Sequence, residues 1–486
     1  MKKINYLSVF LIIILAFLSS CKNDKPVFNI TSLSGDKGWY GDTVKFSVNV
    51  EANESFSLKI TNNHDFQVYE NNFAAGSNTV EYGYVVPTDL TEGDIVSISF
   101  AATLDGDTKT ETVVKDITIT INGNGEVIYH HGTITTNETW SASNTHIVDN
   151  DLIISGCKVL IEPGSVIRIQ QGLDIVVEGQ NSGITATATA QAPITFTSSL
   201  AAPQAGDWKY IQFNDGSNST LNYCIFKYGG DNSSWGMIDI QSNALVSLNN
   251  CTFSDFEDFA IEAEEDNGFV SFTNNTITKT SGHAIKIQGK HIQDIGIGNV
   301  FNVDAISGIL VTGSASSYIY ITENATWLKQ TCAYFIEDEI LIKNNSTLTI
   351  QAGAVLKFLS GVYLQVGYGD EYGKLMAEGT ETEKIVFTSA SPNPIIGDWG
   401  SIRFSTTATN SILKYCEISY GGYSSSYKGN IAVEPCGNEN PVIENCEIHH
   451  SKYYGVYKDK VSGNWGNPLL TNNNYHDNTM GDVGQD

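Results

Sequence analysis

A periodicity of 24 residues in the middle of the chain constrains the fold more than any other feature. The segment Leu245–Phe253 (LVSLNNCTF) recurs 24 residues later as Phe269–Ile277 (FVSFTNNTI). Each segment is too short to bury its apolar face alone, so it must pack on an equivalent segment one period away. Short strands stacked in this way, about 4.8 Å apart, form a parallel β-helix.

The same spacing predicts which side chains stack. Ile261, Ile285 and Ile309 occupy equivalent places in three successive periods, and we expect them to form one inward-facing column. Glu262 and Lys286 follow the first two of these isoleucines. Because neighbouring residues of a strand point to opposite faces, this pair is expected to point outward and to contribute little to stability.

Polar turn positions also repeat. Asparagines precede an apolar position by three residues, and we expect their amides to hydrogen-bond along the stack: Asn250, Asn274, Asn445 and Asn472.

A longer duplication lies over the short period. Several motifs occur twice, with an offset of roughly 190 residues: Thr139–Trp140 and Thr326–Trp327, Ile161–Ile169 and Ile350–Phe358, Gly206–Trp208 and Gly397–Trp399, Tyr223–Gly230 and Tyr415–Gly422. The duplication predicts a β-helix built as two half-arrays, residues 126–315 and 316–486. Asp207 and Asp398, in the repeated Gly-Asp-Trp motif, are interpreted as turn residues because they recur with the repeat.

The segment before the repeats has a different pattern. Between residues 26 and 122, six runs of alternating apolar character are separated by turn signals such as Ser34-Gly35-Asp36. About six or seven short strands in a hundred residues predict an Ig-like β-sandwich. Gly123 to Gly125 then reads as a linker. The predicted fold class is therefore all-β, a sandwich followed by a parallel β-helix.

The first 25 residues indicate export. Lys2 and Lys3 precede an apolar run from Leu7 to Leu18, which is about the length of a signal-peptide core and short for a membrane span. Cys21 then follows two serines. The pattern resembles a bacterial lipoprotein signal, which implies removal of residues 1–20, acylation of Cys21 with a palmitate-type chain, and a polar tether over 21–25. We expect the membrane to be a partner through this anchor.

The repeated motifs carry a second resemblance. The Thr-Trp, Ile-Glu-Pro-Gly-Ser-Val-Ile, Gly-Asp-Trp and Tyr-Gly-Gly segments resemble the right-handed parallel β-helix lipoproteins of Gram-negative bacteria, within the pectin-lyase-like superfamily. The resemblance covers residues 130–480. It implies the fold, and an outer-membrane location on the periplasmic or cell-surface side. It implies little about activity, since this fold serves lyases, hydrolases, adhesins and structural rods.

Charge and cysteine content narrow the function classes. The net charge of −27, with Arg168 and Arg403 as the two arginines, argues against nucleic-acid partners. Cysteines 224 and 251, and likewise 416 and 446, occupy equivalent places on adjacent turns. We expect buried thiols there, because parallel in-register side chains disfavour a disulfide.

Metal binding has weak support in the sequence. No CxxC pair is present, so we expect no zinc site and no cofactor. Calcium remains an alternative at one acidic run, for which a solvated face is the simpler interpretation: Asp255, Glu257, Asp258, Glu262, Glu264, Glu265 and Asp266.

One segment offers a catalytic alternative. Gly282-His283 partly resembles the Gly-His-Gly motif of polygalacturonase-type hydrolases, and Glu257 and Asp258 lie one turn earlier. Paired carboxylates can act as acid and base in glycoside hydrolysis. The family's Asn-Thr-Asp and Arg-Ile-Lys motifs are missing, however, and His283 falls on an ordinary repeat position. A lyase with a lysine base such as Lys286 also stays open.

Aromatic residues supply the candidate ligand-binding site. They follow the two Tyr-Gly-Gly motifs, in loops rich in serine and glycine: Tyr228, Trp235, Tyr420, Tyr423 and Tyr427. Exposed rings beside polar groups suit the apolar faces of sugars, while packing of the loops against the wall explains the rings equally well. We therefore expect a non-catalytic surface binding or adhesion protein, with a glycan as its partner. The alternative is a polysaccharide lyase or glycoside hydrolase.

Overall fold

The computed structural model describes residues 25–485 apart from 33–36, 39–42, 65–67, 87–94, 106–109, 122–125, 201, 232–234, 242, 264–266, 280, 315–316 and 437–438. The predicted signal peptide at 1–20, Cys21, the tether up to residue 24 and the linker at 123–125 lie outside these residues. The chain divides into two compact units, Met1–Glu126 and Val127–Asp486. Within the described ranges, no helix has the length and hydrophobicity needed to cross a bilayer.

The N-terminal unit is a mainly antiparallel β-sandwich, in which Lys37–Gly38 pairs in parallel with Thr110–Ile121. One sheet contains Val27–Ser32, Thr43–Ala52 and Gly76–Val85. The other contains Lys37–Gly38, Thr110–Ile121, Ile95–Asp105, Phe56–Asn62 and Val68–Phe73. Alternate side chains of the long strands are buried in one core between the sheets, as the alternating sequence predicts.

Two of these strands are not among the six predicted ones. Val68–Phe73 is an edge strand with mostly exposed or half-buried side chains, so it lacks the alternation that reveals a strand. Lys37–Gly38 is only two residues long.

The second unit is a parallel β-solenoid of about 12 turns. Its first part has three stacked sheets, which we number in the order the chain visits them. Sheet 1 contains Val166–Ile169, Ile194–Ser198, Cys224–Lys227, Thr252–Ser254, Thr276–Thr278 and Val300–Asn302. Sheet 2 begins with Ile175–Glu178, Ile211–Phe213, Ile238–Ile240, Ile261–Ala263, Ile285–Gln288 and Gly308–Thr312. Sheet 3 contains Glu138–Trp140, Lys158–Ile161, Gly183–Thr187, Asn218–Asn222, Leu245–Asn249 and Ser271–Thr273. Two long strands, Val127–Ile134 and Thr145–Ser155, start both sheets 1 and 2.

Sheet 2 runs on to the C-terminal end of the solenoid. It continues through Ala333–Ile336, Val355–Phe358, Ile385–Ser389, Cys416–Ser419, Glu447–His449 and Asn474–His476. Sheet 4 contains Tyr318–Ile321, Glu339–Ile342, Leu364–Val366, Ile402–Phe404, Gly429–Val433, Tyr454–Lys458 and Gly481–Gly484. Sheet 5 contains Ala325–Trp327, Ser346–Ile350, Gly373–Glu378, Ile412–Lys414, Val442–Glu444 and Leu469–Thr471. A 3-10 helix, Gly289–Asp294, and a small hairpin of Lys460–Val461 with Asn464–Trp465 complete the unit.

The predicted inward column is confirmed. Ile261 pairs with Ile285, and Ile285 pairs with Ile309. All three side chains are fully buried. Sheet 1 shows the same stacking with rings, since Phe196, Phe226 and Phe253 follow one another with centroids 5.0 Å apart and nearly parallel planes. Identical positions on successive turns thus build one continuous apolar core.

The asparagine prediction holds in part. Asn250 Nδ2 donates to Asn222 Oδ1 of the preceding turn at 2.8 Å, as predicted, but the buried asparagine ladder lies one residue later. Asn250 and Asn274 adopt positive φ and form the turns. The buried amide of Asn275 instead accepts the Cys251 N–H at 2.8 Å and donates to the Leu248 carbonyl at 2.9 Å. Asn299 repeats this arrangement one turn later, where it accepts the Asn275 N–H. Asn274, with its positive φ, turns the chain, so the side chain of the next residue, Asn275, points inward. There it bonds a backbone N–H and a backbone carbonyl of the preceding turn.

The four repeat-related cysteines 224, 251, 416 and 446 are buried free thiols. Their Sγ atoms lie within 3.5 Å of backbone carbonyls of the preceding turn. Burial raises the pKa of Cys224 and of Cys416. These cysteines therefore pack as small apolar residues.

The duplicated halves are out of phase by one sheet. Ile169, in the first copy of the duplicated motif, lies in sheet 1, whereas its counterpart Phe358 lies in sheet 2. The change follows from the junction, where Ile309 of sheet 2 pairs with Tyr334, which in turn pairs with Leu356. The stacking of sheet 2 continues without interruption across the junction. The second copy of the duplicated sequence, however, places each motif on the sheet that follows the one used by the first copy.

Candidate functional site

A row of polar side chains crosses the outer face of sheet 2. Gln212 pairs with Asp239, Asp239 with Glu262, and Glu262 with Lys286 on four successive turns. We call these four residues the polar ladder. Asp239 is 0% exposed and Glu262 is 2% exposed. The prediction that Glu262 and Lys286 point outward on the strand holds. The solvated face expected for Glu262 is wrong, because other residues cover its carboxylate.

Both buried carboxylates have hydrogen-bond donors. Gln212 Nε2 donates to Asp239 Oδ2 at 2.7 Å, and Gln241 Nε2 donates to both Asp239 oxygens. Lys286 Nζ lies 2.6 Å from Glu262 Oε1, and the Gly236 N–H donates to Glu262 Oε2 at 3.1 Å. A buried carboxylate is tolerated only with such partners, so the ladder fixes the backbone at Gly236.

That backbone segment presents the first aromatic patch. Trp235, directly before Gly236, is 37% exposed and stacks on Tyr210 with centroids 5.5 Å apart and planes inclined by 25°. Burial, as the largest contribution, raises the pKa of the Tyr210 hydroxyl. The patch is thus an exposed indole ring that stacks on Tyr210. The buried polar ladder holds the backbone next to it.

A second aromatic patch lies on sheet 4. The guanidinium of Arg403 lies over the Tyr427 ring at 4.0 Å, and its Nε donates to Glu434 Oε1 at 3.1 Å. Its Nη1 donates to Gln365 Oε1 at 3.0 Å. Tyr363 meets the Tyr427 ring edge-on at 5.9 Å. Because Glu434 and Gln365 both bond to the guanidinium of Arg403, the guanidinium holds the Tyr427 ring in place.

Tyr423, Tyr228 and Tyr420 have different surroundings. Tyr423 is 53% exposed, and its ring lies beside Gly361. Tyr228 and Tyr420 adopt positive φ and pack, half-buried, against the solenoid core. Burial raises the pKa of Tyr228. Of the five aromatic candidates, Trp235, Tyr423 and Tyr427 therefore offer ring surface next to polar groups, while Tyr228 and Tyr420 support their loops.

The phase shift separates the two patches. Gln212 and Arg403 occupy equivalent positions of the duplicated motif, yet Gln212 lies on sheet 2 and Arg403 on sheet 4. The candidate residues consequently form two patches on different faces of the solenoid and not one continuous strip.

The catalytic alternative occupies the turns beside sheet 2. Lys279 Nζ donates to the backbone carbonyls of Glu257, at 2.5 Å, and of Asp258. Burial raises the pKa of Asp258 and lowers the pKa of Lys279. His283 packs edge-on against Phe335 at 4.6 Å, and burial lowers its pKa. A half-buried acid and a half-buried amine thus lie close to each other, whereas the imidazole is packed on a ring.

The repeated aspartates have a turn role. Asp207 Oδ2 accepts the Gln204 N–H at 3.0 Å, and Asp398 Oδ2 accepts the Ile395 N–H at 2.9 Å. The two tryptophans of the same motif, Trp208 and Trp399, are fully buried. Both indole N–H groups donate to a backbone carbonyl of the next turn.

Sequence reasoning did not single out the polar ladder as a unit. The signal that could have found it is the 24-residue register itself, applied to outward positions, which aligns Glu262 with Lys286. Of the proposed calcium run, Glu262 pairs with Lys286, and residues 264–266 lie outside the described residues. Among the described residues, one group has the spacing of metal ligands, namely His449, His450 and His476.

Comparison with known proteins supports the fold. Residues 319–432 match the family described as pectate-lyase like beta helix domain, which is less than half of the chain. No curated protein sequence matches significantly. The catalytic domain of a GH87 alpha-1,3-glucanase variant, solved with tetrasaccharides, aligns over 94% of both chains at 12% identity, but its TM-score of 0.27 supports no argument about activity. Together with the stacked parallel sheets, this match supports a parallel β-helix resembling that of the pectate-lyase-like domains.

Proposed function

We propose that this protein is a lipid-anchored cell-envelope protein that binds glycans without cleaving them, through the aromatic patches on its solenoid. The observation that carries the proposal is the exposed Trp235 ring, stacked on Tyr210 and attached to a backbone that a buried carboxylate holds. A sugar ring has an apolar C–H face, and this face fits an exposed indole plane.

Preorganisation is the second argument. Trp235 has a ring behind it, and the next residue, Gly236, donates its N–H to Glu262. A ring that is already fixed loses little conformational entropy when a ligand stacks on it. The Tyr427 ring is fixed similarly by Arg403.

Binding without cleavage agrees with the state of the ladder carboxylates. Asp239 and Glu262 are almost completely buried and have their oxygens occupied by amide, ammonium or backbone donors. A general acid or nucleophile must reach the glycosidic bond. These two carboxylates therefore support the patch and do not contact a ligand.

The anchor and the location rest on the leader sequence alone. Acylation of Cys21 would place the β-sandwich between the lipid and the solenoid along the chain, with the outer membrane as the site of attachment. The acidic chain, with a net charge of −27, would be repelled by anionic lipid head groups. Its attachment would then depend on the acyl chains.

A glycan array tests the proposal. The native chain should bind at least one polysaccharide class, and Trp235→Ala should weaken that binding about tenfold through the loss of one stacked ring. Tyr423→Ala and Tyr427→Ala test the second patch in the same way. Tyr129→Ala is the control, since Tyr129 is an exposed ring, at 55% close to the 53% of Tyr423, in the first turn of the solenoid. Unchanged binding in the patch variants would contradict the proposal.

A glycan-cleaving enzyme is the second candidate, and the raised pKa of Asp258 beside Lys279 favours it. A protonated carboxyl can act as a general acid, and a neutral lysine can act as the base of a lyase. Reducing-sugar and unsaturated-product assays over a polysaccharide panel separate the two functions. Product release by the native chain that Asp258→Asn or Lys279→Met abolishes would establish the enzyme; no release by the native chain would eliminate it.

A further inference from the structure

Three histidines meet at the C-terminal end of the solenoid. His449 and His476 are cross-strand partners on adjacent turns of sheet 2, with ring centroids 4.5 Å apart and planes inclined by 9°. His450 follows in a turn with φ of 52°, which brings its Nδ1 to 2.7 Å from Nδ1 of His449. One ring nitrogen from each histidine lies within 4.8 Å of the others.

Carboxylates orient two of these rings from the opposite side. Glu417 Oε1 lies 3.6 Å from Nε2 of His449, and Glu447 Oε1 lies 3.2 Å from Nε2 of His476. In His449, an Nε2–H that faces the carboxylate leaves Nδ1 for a metal, which is the arrangement that metal-binding histidines use. In His476 both ring nitrogens face carboxylates, so a bound metal would replace the proton on Nδ1. Lys384 Nζ in turn holds Glu447 at 2.6 Å.

A third carboxylate lies on the Nδ1 side. Asp477 Oδ2 is 2.8 Å from Nδ1 of His476, and its side chain is 64% exposed. The group with metal-ligand spacing consists of the three histidines, and three imidazole nitrogens form a donor set typical of zinc. Calcium prefers oxygen ligands, so this set disfavours it.

We propose that His449, His450 and His476 bind a divalent first-row transition-metal ion such as Zn²⁺. Zinc–nitrogen bonds of about 2.0–2.1 Å place tetrahedral ligand atoms about 3.4 Å apart. Small rotations of the partly exposed rings bring the nitrogens to that spacing. The absence of a CxxC motif predicted no zinc site, but these ligands come from two turns and need no such motif.

The ion would fasten the end of the solenoid. His449 and His450 belong to one turn, while His476 and Asp477 belong to the next, which contains Gly481–Gly484, the last strand of sheet 4. A ligand that binds only the folded turn stabilises it. The metal therefore crosslinks the final turn to its neighbour.

Zinc titration of the full chain by calorimetry tests the proposal. We expect saturable binding of one Zn²⁺ per chain and at least tenfold weaker affinity in His476→Asn. His450→Asn is a second variant that keeps the fold, because asparagine readily adopts the positive φ of this position. The matched control is His291→Gln, since His291 also lies 2.8 Å from a carboxylate, Asp294, but has no second histidine beside it.

Two further measurements identify the metal ligands and the effect of the metal on the stability of the last turn. Co²⁺ in place of Zn²⁺ should give visible d–d absorption without a thiolate charge-transfer band. Zn²⁺ should slow amide exchange at least tenfold in residues 474–484 of the native chain and leave it unchanged in His450→Asn. No saturable binding, a thiolate band, or an equal loss of affinity in His291→Gln would overturn the proposal.

Discussion

Individual histidines in the first turns of the solenoid show how burial sets protonation. His130 Nε2 lies 2.9 Å from Nδ1 of His146, and His146 Nε2 lies 3.0 Å from the Ser141 carbonyl. A carbonyl only accepts, so His146 donates from Nε2 and accepts at Nδ1, and His130 donates to it. Trp140 stacks on His130 at 4.0 Å. His146 is therefore neutral in this arrangement.

Acid should destabilise this turn through His130. Burial, followed by the charge of His146, lowers the pKa of His130 to about 4 from its usual 6.5. The unfolded chain then binds more protons than the folded chain between these values, so stability is complete above pH 6.5 and falls as the pH drops towards 4. The loss is at most about 3 kcal/mol.

Amide exchange of residues 127–155, measured at pH 7 and pH 4.5, checks this dependence after correction for the intrinsic exchange rate. His130→Gln should remove most of it. His131→Gln, whose exposed ring is the neighbour on the same strand, should not. Identical pH profiles for the native chain and His130→Gln would refute this explanation.

At the scale of one element, burial on the outer face of sheet 2 determines how much an ion pair contributes to stability. The Glu262–Lys286 pair has side-chain exposures of 3% and 25%, whereas Lys329–Glu383 has 44% and 48%. Exposed pairs contribute little because water screens them. Removing one member of a buried ion pair lowers the free energy of unfolding much more, because the groups that bonded to it lose that interaction in a site shielded from water.

We therefore expect Glu262→Ala to lower the free energy of unfolding by about 3 kcal/mol, since it leaves Lys286 and the Gly236 N–H without their carboxylate. Glu383→Ala, the exposed counterpart, should cost less than about 1 kcal/mol. Urea unfolding of the three proteins measures the difference. Equal costs would show that the ladder is not a structural support of the Trp235 segment.

Much of this element could be predicted, and part of it could not. The 24-residue register places Glu262 opposite Lys286 correctly, because in-register stacking follows from the repeat. Its burial could not be predicted, because the loop around Trp235 and Gly236 covers it, and that loop lies outside the periodic pattern. Similarly, the motifs equate Gln212 with Arg403, but only the junction between the halves determines that they lie on different sheets.

Across the whole solenoid, stability should be distributed turn by turn. Each turn contacts mainly its neighbours, and among the described residues only a few long lysine side chains, such as Lys158 and Lys384, reach two turns away. A defect therefore acts locally more than globally. Ile285 lies in the inward column between Ile261 and Ile309 and is fully buried. A substitution at Ile285 therefore tests the core packing of one turn.

Ile285→Ala should destabilise this region by about 3 kcal/mol through lost burial and the cavity left behind. Amide exchange should accelerate in the strands from Ile261 to Ile309 and much less in Val355–Phe358. Ile306→Ala, at an isoleucine that is 52% exposed, should leave exchange near native. Uniform acceleration throughout the second unit would contradict turn-by-turn stability.

The sequence by itself determined the repeat length, the inward columns, the all-β class and the sandwich before the solenoid, because a strict period specifies which residues stack. Only the tertiary structure decided the phase of the two halves, the burial of the polar ladder and the meeting of His449, His450 and His476. The first two features depend on loops and on a junction whose lengths vary from turn to turn. The pairing of His449 with His476 follows the register that also relates Asn445 to Asn472, but the left-handed turn at His450, which brings the third ring to them, does not follow from periodicity.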